Sequence, residues 1–117
     1  MSYSVVNVDE LEAWHGVVHF TRRALGVHAF GINWFALPPG AEGKEHDEEA
    51  SGQEEVYVVV AGSGKWIVDG EDVAVRVGSF VRVDPQTTRQ PVAGPDGLTF
   101  VVVGAQPGAY EPRGELF

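Results

Sequence analysis

Between Gly40 and Gly62 the chain carries an imidazole and several carboxylates close to a strongly apolar run. His46 sits among Glu45, Asp47, Glu48 and Glu49. An imidazole titrates near neutrality and neighbouring carboxylates raise its pKa, which makes His46 a candidate for proton transfer. Glu55 opens the run Val56-Tyr57-Val58-Val59-Val60-Ala61, and a carboxylate at the head of such a segment needs a partner wherever it is buried. Glu48 belongs to the acidic run Glu45 to Glu49, and charge runs commonly form solvated faces. Further along, Arg89 offers a planar, permanently charged fork that either pairs with a carboxylate or receives an anionic ligand bidentately. Tyr57 and Trp66 are large apolar bodies with one polar tip, suited to a core or to the aromatic wall of a small-molecule pocket. His15, His19 and His28 have no spacing that joins them to a site, and there is no serine nucleophile elbow, phosphate loop or paired zinc motif.

The elements that must position these groups are short strands, because apolar residues recur with period two and turn chemistry punctuates them. Val27–Leu37 alternates until Pro38-Pro39-Gly40 stops it, and Gly40 to Gly52 is too polar to pack into a core. Glu55–Ala61 is a β-branched run, and Gly62-Ser63-Gly64 reads as a turn that reverses the chain. Lys65–Val68 and Asp72–Val77 flank Asp69-Gly70, a strong hairpin signal since both residues tolerate positive φ. Ser79–Val83 closes at Asp84-Pro85, and Leu98–Val103 is entered through Gly94-Pro95-Asp96-Gly97. Six strands at roughly 8- to 12-residue spacing predict an all-β sandwich or small barrel. Before residue 27, Val5–Val8 reads as an edge strand and Asp9–Trp14 as a helical turn; after residue 103 the proline-bearing tail lies across the domain with Tyr110 tucked in. On the Glu55 strand, Tyr57 and Val59 share the face of Glu55, while Glu54, Val56, Val58 and Val60 face outward. That second apolar face predicts cover by another sheet or by a second copy in a homodimer.

At 117 residues the chain makes one domain, 1–117, with a barrel over 27–103. The absence of cysteine excludes disulfides, thiolate metal sites and a cysteine nucleophile. With 8 Lys plus Arg against 17 Asp plus Glu the formal charge is −9, which argues against nucleic acid or anionic membrane as partners. No stretch reaches the ~20 apolar residues of a membrane span and the first residues lack a basic, then apolar, leader pattern, so a cytoplasmic location is expected.

The frame of these residues resembles the cupin family. Its first motif runs Gly, five residues, His-x-His, three or four residues, Glu, six residues, Gly; this chain has Gly40, five residues, His46, then Glu55, six residues, Gly62. Its second motif runs Gly, five residues, Pro-x-Gly, two residues, His; here it reads Gly78, five residues, Asp84-Pro85-Gln86, two residues, Arg89. The resemblance covers about residues 27 to 103 and implies a single-domain jelly-roll barrel. In metal-binding cupins the three His and the Glu converge on one divalent ion. Here Glu48 replaces the second His, with two extra residues before Glu55, and Arg89 replaces the last. Arg cannot coordinate a metal, and the remaining imidazole and two carboxylates favour hard ions such as Mn, Mg or Ca.

Three functions follow from that frame. The first is a pocket for a small, anionic molecule, used for binding or for metal-independent isomerase-, epimerase- or cyclase-like chemistry. His46 and Glu55 then serve as base and acid, Arg89 orients the ligand, and Tyr57 and Trp66 line the pocket; no cofactor is needed. The second is a metal-dependent dioxygenase or isomerase with Mn, Fe, Ni or Zn held by His46, Glu48 and Glu55. The third is a structural module with a filled barrel.

Overall fold

The computed structural model describes residues 2–117. Strands form where β-branched and aromatic residues alternate: β1 (Val18–His19), β2 (Gly31–Leu37), β3 (Glu54–Val68), β4 (Glu71–Arg76), β5 (Phe80–Val83) and β6 (Arg89–Ala105), with one short helix, α1 (Thr21–Leu25). All pairings are antiparallel, in the order β1-β2-β6-β3-β4, and β5 also pairs with β3. The long central strands β3 and β6 belong to both ends of the barrel. The first part of β3 lies between β5 and the end of β6, and its last part between β4 and the start of β6.

This continuity corrects the reversal expected at Gly62-Ser63-Gly64. The β3–β6 ladder shifts register between Val59 and Ala61 and again between Gly62 and Gly64, so the chain bends without turning back. Gly62 has φ +73, and a Cβ there would overlap the Gly97 carbonyl; a Cβ at Gly64 would overlap that of Val92. These glycines let two backbones close up at a corner. The expected entry loop Gly94-Pro95-Asp96-Gly97 likewise lies within β6, in the stretch where the ladder to β3 is interrupted, so Pro95 removes no bond there. The Asp69-Gly70 hairpin forms as expected, with φ 47 and 80 at its two central residues.

Other boundaries also differ. Val5–Val8 forms no strand; a single 3-10 turn covers Val8–Glu10, closed by Asn7, whose side chain accepts from the Asp9 N–H while the Glu10 carboxylate accepts from the Asn7 N–H. The helical turn expected over Asp9–Trp14 therefore stops at Glu10. β2 begins at Gly31 rather than Val27: α1 ends at its left-handed cap Gly26 (φ 76), and residues 27–30 run without strand pairing through a bend at Ala29 and Phe30 before the ladder starts. Tyr110 is exposed, its hydroxyl donating to the Phe117 carbonyl at 2.7 Å, so the tail is not tucked in as expected.

The core lies inside the barrel. Tyr57 and Val59 point into it as the alternation along β3 requires, joined by Trp66, Leu98, Phe100 and Val102. The Trp66 and Phe100 rings meet edge to face at 4.9 Å and both touch Tyr57. Each such side chain contributes about 1.5–3 kcal/mol by leaving water. On the outer face Val56 and Val58 are half-buried, whereas Val60 and Phe80 are exposed. Among the described residues no helix is long and apolar enough to cross a membrane.

Candidate site in the barrel cavity

The loop from Gly40 to Gly52 does not drift into solvent. Glu42 forms an isolated bridge with Val92, and His46 forms another with Arg89. In the second, the His46 N–H donates to the Arg89 carbonyl at 3.0 Å and the Arg89 N–H returns a bond to His46 at 2.8 Å. The Glu48 N–H is tied to the Pro85 carbonyl at 2.8 Å. These backbone bonds lay an acidic loop along β6 and the β5–β6 connection, with His46 and Glu48 half-buried while Glu45, Asp47 and Glu49 stay exposed. They satisfy polar groups that a bare loop would leave to water.

His46, Glu48 and Glu55 are thereby brought together. His46 Nε2 stands 3.2 Å from Glu48 Oε2 and 3.7 Å from Glu55 Oε1. The Ser51 hydroxyl donates to Glu48 Oε1 at 2.7 Å, and the Tyr57 hydroxyl to Glu55 Oε1 at 2.7 Å. Arg89 lies behind Glu55, its guanidinium nitrogen 3.8 Å from Oε1. Arg89 is fully buried and donates to the carbonyls of Thr87, Asp84 and Val83 at 3.0, 3.2 and 3.4 Å. It does not line the cavity, which corrects the expectation that it receives an anionic ligand. Trp66 is also fully buried, so it supports the wall from behind rather than touching a ligand; Tyr57 does line the cavity.

The electrostatics follow from burial and these partners. The Glu55 carboxylate raises the His46 pKa above 6.5, against desolvation; Glu48 is nearer but adds less, being better solvated. Burial alone would push Glu55 up, yet His46, Tyr57 and the Arg89 charge more than offset this and hold it below the ordinary carboxylate value. Burial, then the adjacent Glu55, pushes the Tyr57 phenol up, so it stays a hydrogen-bond donor. The imidazole resonances of His46 are therefore expected to titrate above 6.5, and Glu55→Gln to lower that midpoint more than Glu48→Gln. An NMR titration in which Glu48→Gln has the larger effect would overturn this ranking. The stability that His46 supplies is complete below 6.5 and lost as pH rises through its raised folded value; that of Glu55 is complete above 4.5 and lost as pH falls through its depressed one. The cluster stabilises the fold most in the weakly acidic window between them.

The cavity itself measures about 640 Å³. Its floor is aromatic: Phe35 stacks on Phe100 at 5.1 Å, with Tyr57 beside them. One side comes from a segment that periodicity did not single out. His15 (φ 51) and Gly16 (φ 71) make a tight turn bridging Trp14 to Val18, and this turn sets Trp14, His15 and Phe20 along the cavity. The signal was the His15-Gly16 pair, a turn dipeptide placed just before the short apolar run Val17-Val18. His19 instead uses its ring against the Leu11 carbonyl, and His28 stands apart from the cavity.

A barrel of antiparallel strands with an imidazole and carboxylates gathered inside it defines a cupin-type protein. The cupin domain family matches residues 33–104, and the chain belongs to that family. Its structure resembles a cupin protein of Bacteroides fragilis, with TM-score 0.82 and 23% identity over 97% of this chain and 92% of that one. It also resembles a predicted oxalate decarboxylase of Thermotoga maritima, with TM-score 0.60 and 25% identity over 65% of each chain. A sugar phosphate isomerase of the cupin superfamily from Silicibacter pomeroyi gives TM-score 0.64 and 24% identity over 76% of this chain and 58% of that one. No curated protein matches the sequence.

The site can be tested against the divalent metal that the fold suggests. One ligand atom each from His46, Glu48 and Glu55 can lie within 4.8 Å of the others, a spacing that suits a cation. The donor chemistry does not complete the set, because the fourth corner carries the Arg89 guanidinium against Glu55. A buried permanent cation repels a second cation and already neutralises the carboxylate that would bind it. These residues do not fit a tightly held divalent ion.

Proposed function

We propose that this cupin holds a small molecule in its barrel cavity and performs metal-independent proton transfer on it, of the isomerase, epimerase or cyclase kind. The observation that carries this reading is the buried Arg89, which supplies beside Glu55 the positive charge that a metal would otherwise bring. His46 is the proton carrier, since an imidazole is the side chain that exchanges protons around neutrality and its Nε2 stands 3.2 Å from Glu48 and 3.7 Å from Glu55 in the cavity lining. Glu55 orients the ring and stabilises the imidazolium; Tyr57 and Arg89 hold Glu55 ionised. Glu48, steadied by Ser51, is the second carboxylate within reach of a transferred proton.

Metal analysis of protein purified without chelator or His tag, repeated after exposure to Mn, Fe, Ni and Zn, tests it. The expected result is well under one metal per chain. Near-stoichiometric metal that disappears in Glu55→Ala would sink the reading and install His46, Glu48 and Glu55 as ligands. The exposed Phe80 and Val60, beside Val56 and Val58, support a homodimer through the outer face of β3 and β5. Sedimentation of the same preparation should report a dimer that Phe80→Asp dissociates; a wild-type monomer would remove that part.

A further inference from the structure

We infer that the cavity takes a small organic cation, an amine carried on an apolar or aromatic body; this rests on reading the cavity as a small-molecule site. Its body-binding part is set by Phe35, Phe100, Phe20, Leu37 and Val18, which offer apolar faces and no charge. At the polar end four carboxylates line the space, those of Glu42, Asp47, Glu48 and Glu55, against the cations Lys44 and His46. With His46 protonated and Arg89 counted behind Glu55, four negative charges still face three positive ones. The chain's overall charge of −9 adds to that field.

Arg89, the group that would have recognised a carboxylate or phosphate, lies outside the cavity lining and turns its Nη1 and Nη2 groups to three backbone carbonyls and Glu55, leaving only its buried Nε unpaired among the described residues. An anion in the cavity would meet four carboxylates with no guanidinium to receive it, and only the exposed Lys44 ammonium and His46 to offset them. Two neutral features also suit an amine. Asn33 lines the cavity, and its Oδ1 is buried with no partner among the described residues, so the side-chain amide is left to pair with a ligand N–H. Trp14 lines the cavity, is 58% exposed and packs edge to face on His15 at 4.1 Å, an aromatic ring of the kind that attracts a cation.

The test is a matched series of 2-naphthylmethylamine, 2-naphthalenemethanol and 2-naphthoate, followed by 15N NMR titration at neutral pH. The amine is expected to bind about 10-fold more tightly than the carboxylate, as one partly screened ion pair allows, with the alcohol between them. Shifts should appear at the Trp14 indole and the Asn33 amide. Glu42→Gln with Asp47→Asn, which leaves the His46–Glu55 pair untouched, should narrow the preference about threefold. Carboxylate binding as tight as that of the amine would overturn the charge assignment and leave the cavity reading standing. Failure of all three to shift any cavity resonance would overturn both.

Discussion

Arg89→Met is expected to lower the thermal midpoint by roughly 10–20 °C, corresponding to about 3–5 kcal/mol for removing one partner of a buried pair. Methionine keeps most of the volume, so a cavity is not the main cost. The cost comes from the Glu55 carboxylate, left half-desolvated without its counter-charge, and from the Thr87 and Asp84 carbonyls, which lose their donor. Arg89→Lys should fall between, because an ammonium keeps the charge but cannot span those carbonyls and Glu55 with a planar fork. Adding Glu55→Gln to Arg89→Met should recover part of the loss, since the uncompensated charge goes with it. Thermal or urea unfolding of wild type, Arg89→Met, Glu55→Gln and the double variant measures this cycle, with Arg89→Lys unfolded alongside. An Arg89→Met protein within about 1 kcal/mol of wild type would show that Glu55 does not depend on the guanidinium. Arg89→His adds the complementary result: it removes the resident cation, supplies a fourth donor beside His46, Glu48 and Glu55, and should raise Mn or Zn affinity at least 100-fold.

The motif spacing around Gly40, His46, Glu55 and Gly62 made the family legible, and period-two alternation placed Tyr57 and Val59 inside the barrel correctly. Those signals are local. The role of Arg89 was only half legible: its pairing with Glu55 follows from chemistry, but its buried guanidinium is received by the Asp84 and Thr87 carbonyls of the β5–β6 connection, which no side-chain pattern encodes. Glu48 was legible in part: motif alignment set it at the second-His position as a candidate ligand while the acidic run pointed to a solvated face, and nothing in composition reports that its N–H is tied to Pro85. Trp14 and His15 were missed for a similar reason, since a two-residue strand such as β1 is too short to show a period. The glycine-rich punctuation within β3 and β6 misled in the opposite direction. Glycine marks a sharp change of backbone path, and sequence alone cannot tell a reversal from a bulged corner.

Gly62→Ala separates those two meanings and is expected to cost more than about 4 kcal/mol, enough to deplete the folded protein. Two terms add. A non-glycine residue at φ +73 costs about 1–2 kcal/mol by itself. The new methyl would also overlap the Gly97 carbonyl in β6, backbone that cannot yield without opening the corner that both central strands share. Gly40→Ala is the control: its φ is nearly the same, +72, yet no atom lies within 4 Å of the added Cβ, so only the first term applies. If Gly62 served a solvent-facing turn, the two alanine variants would unfold at similar denaturant concentrations, and equal midpoints would refute the corner. A large gap between them assigns the difference to backbone contact across β3 and β6. That contact reaches function, because the bend at Gly62 sets the path of the half of β3 that carries Glu55 and Tyr57 into the cavity.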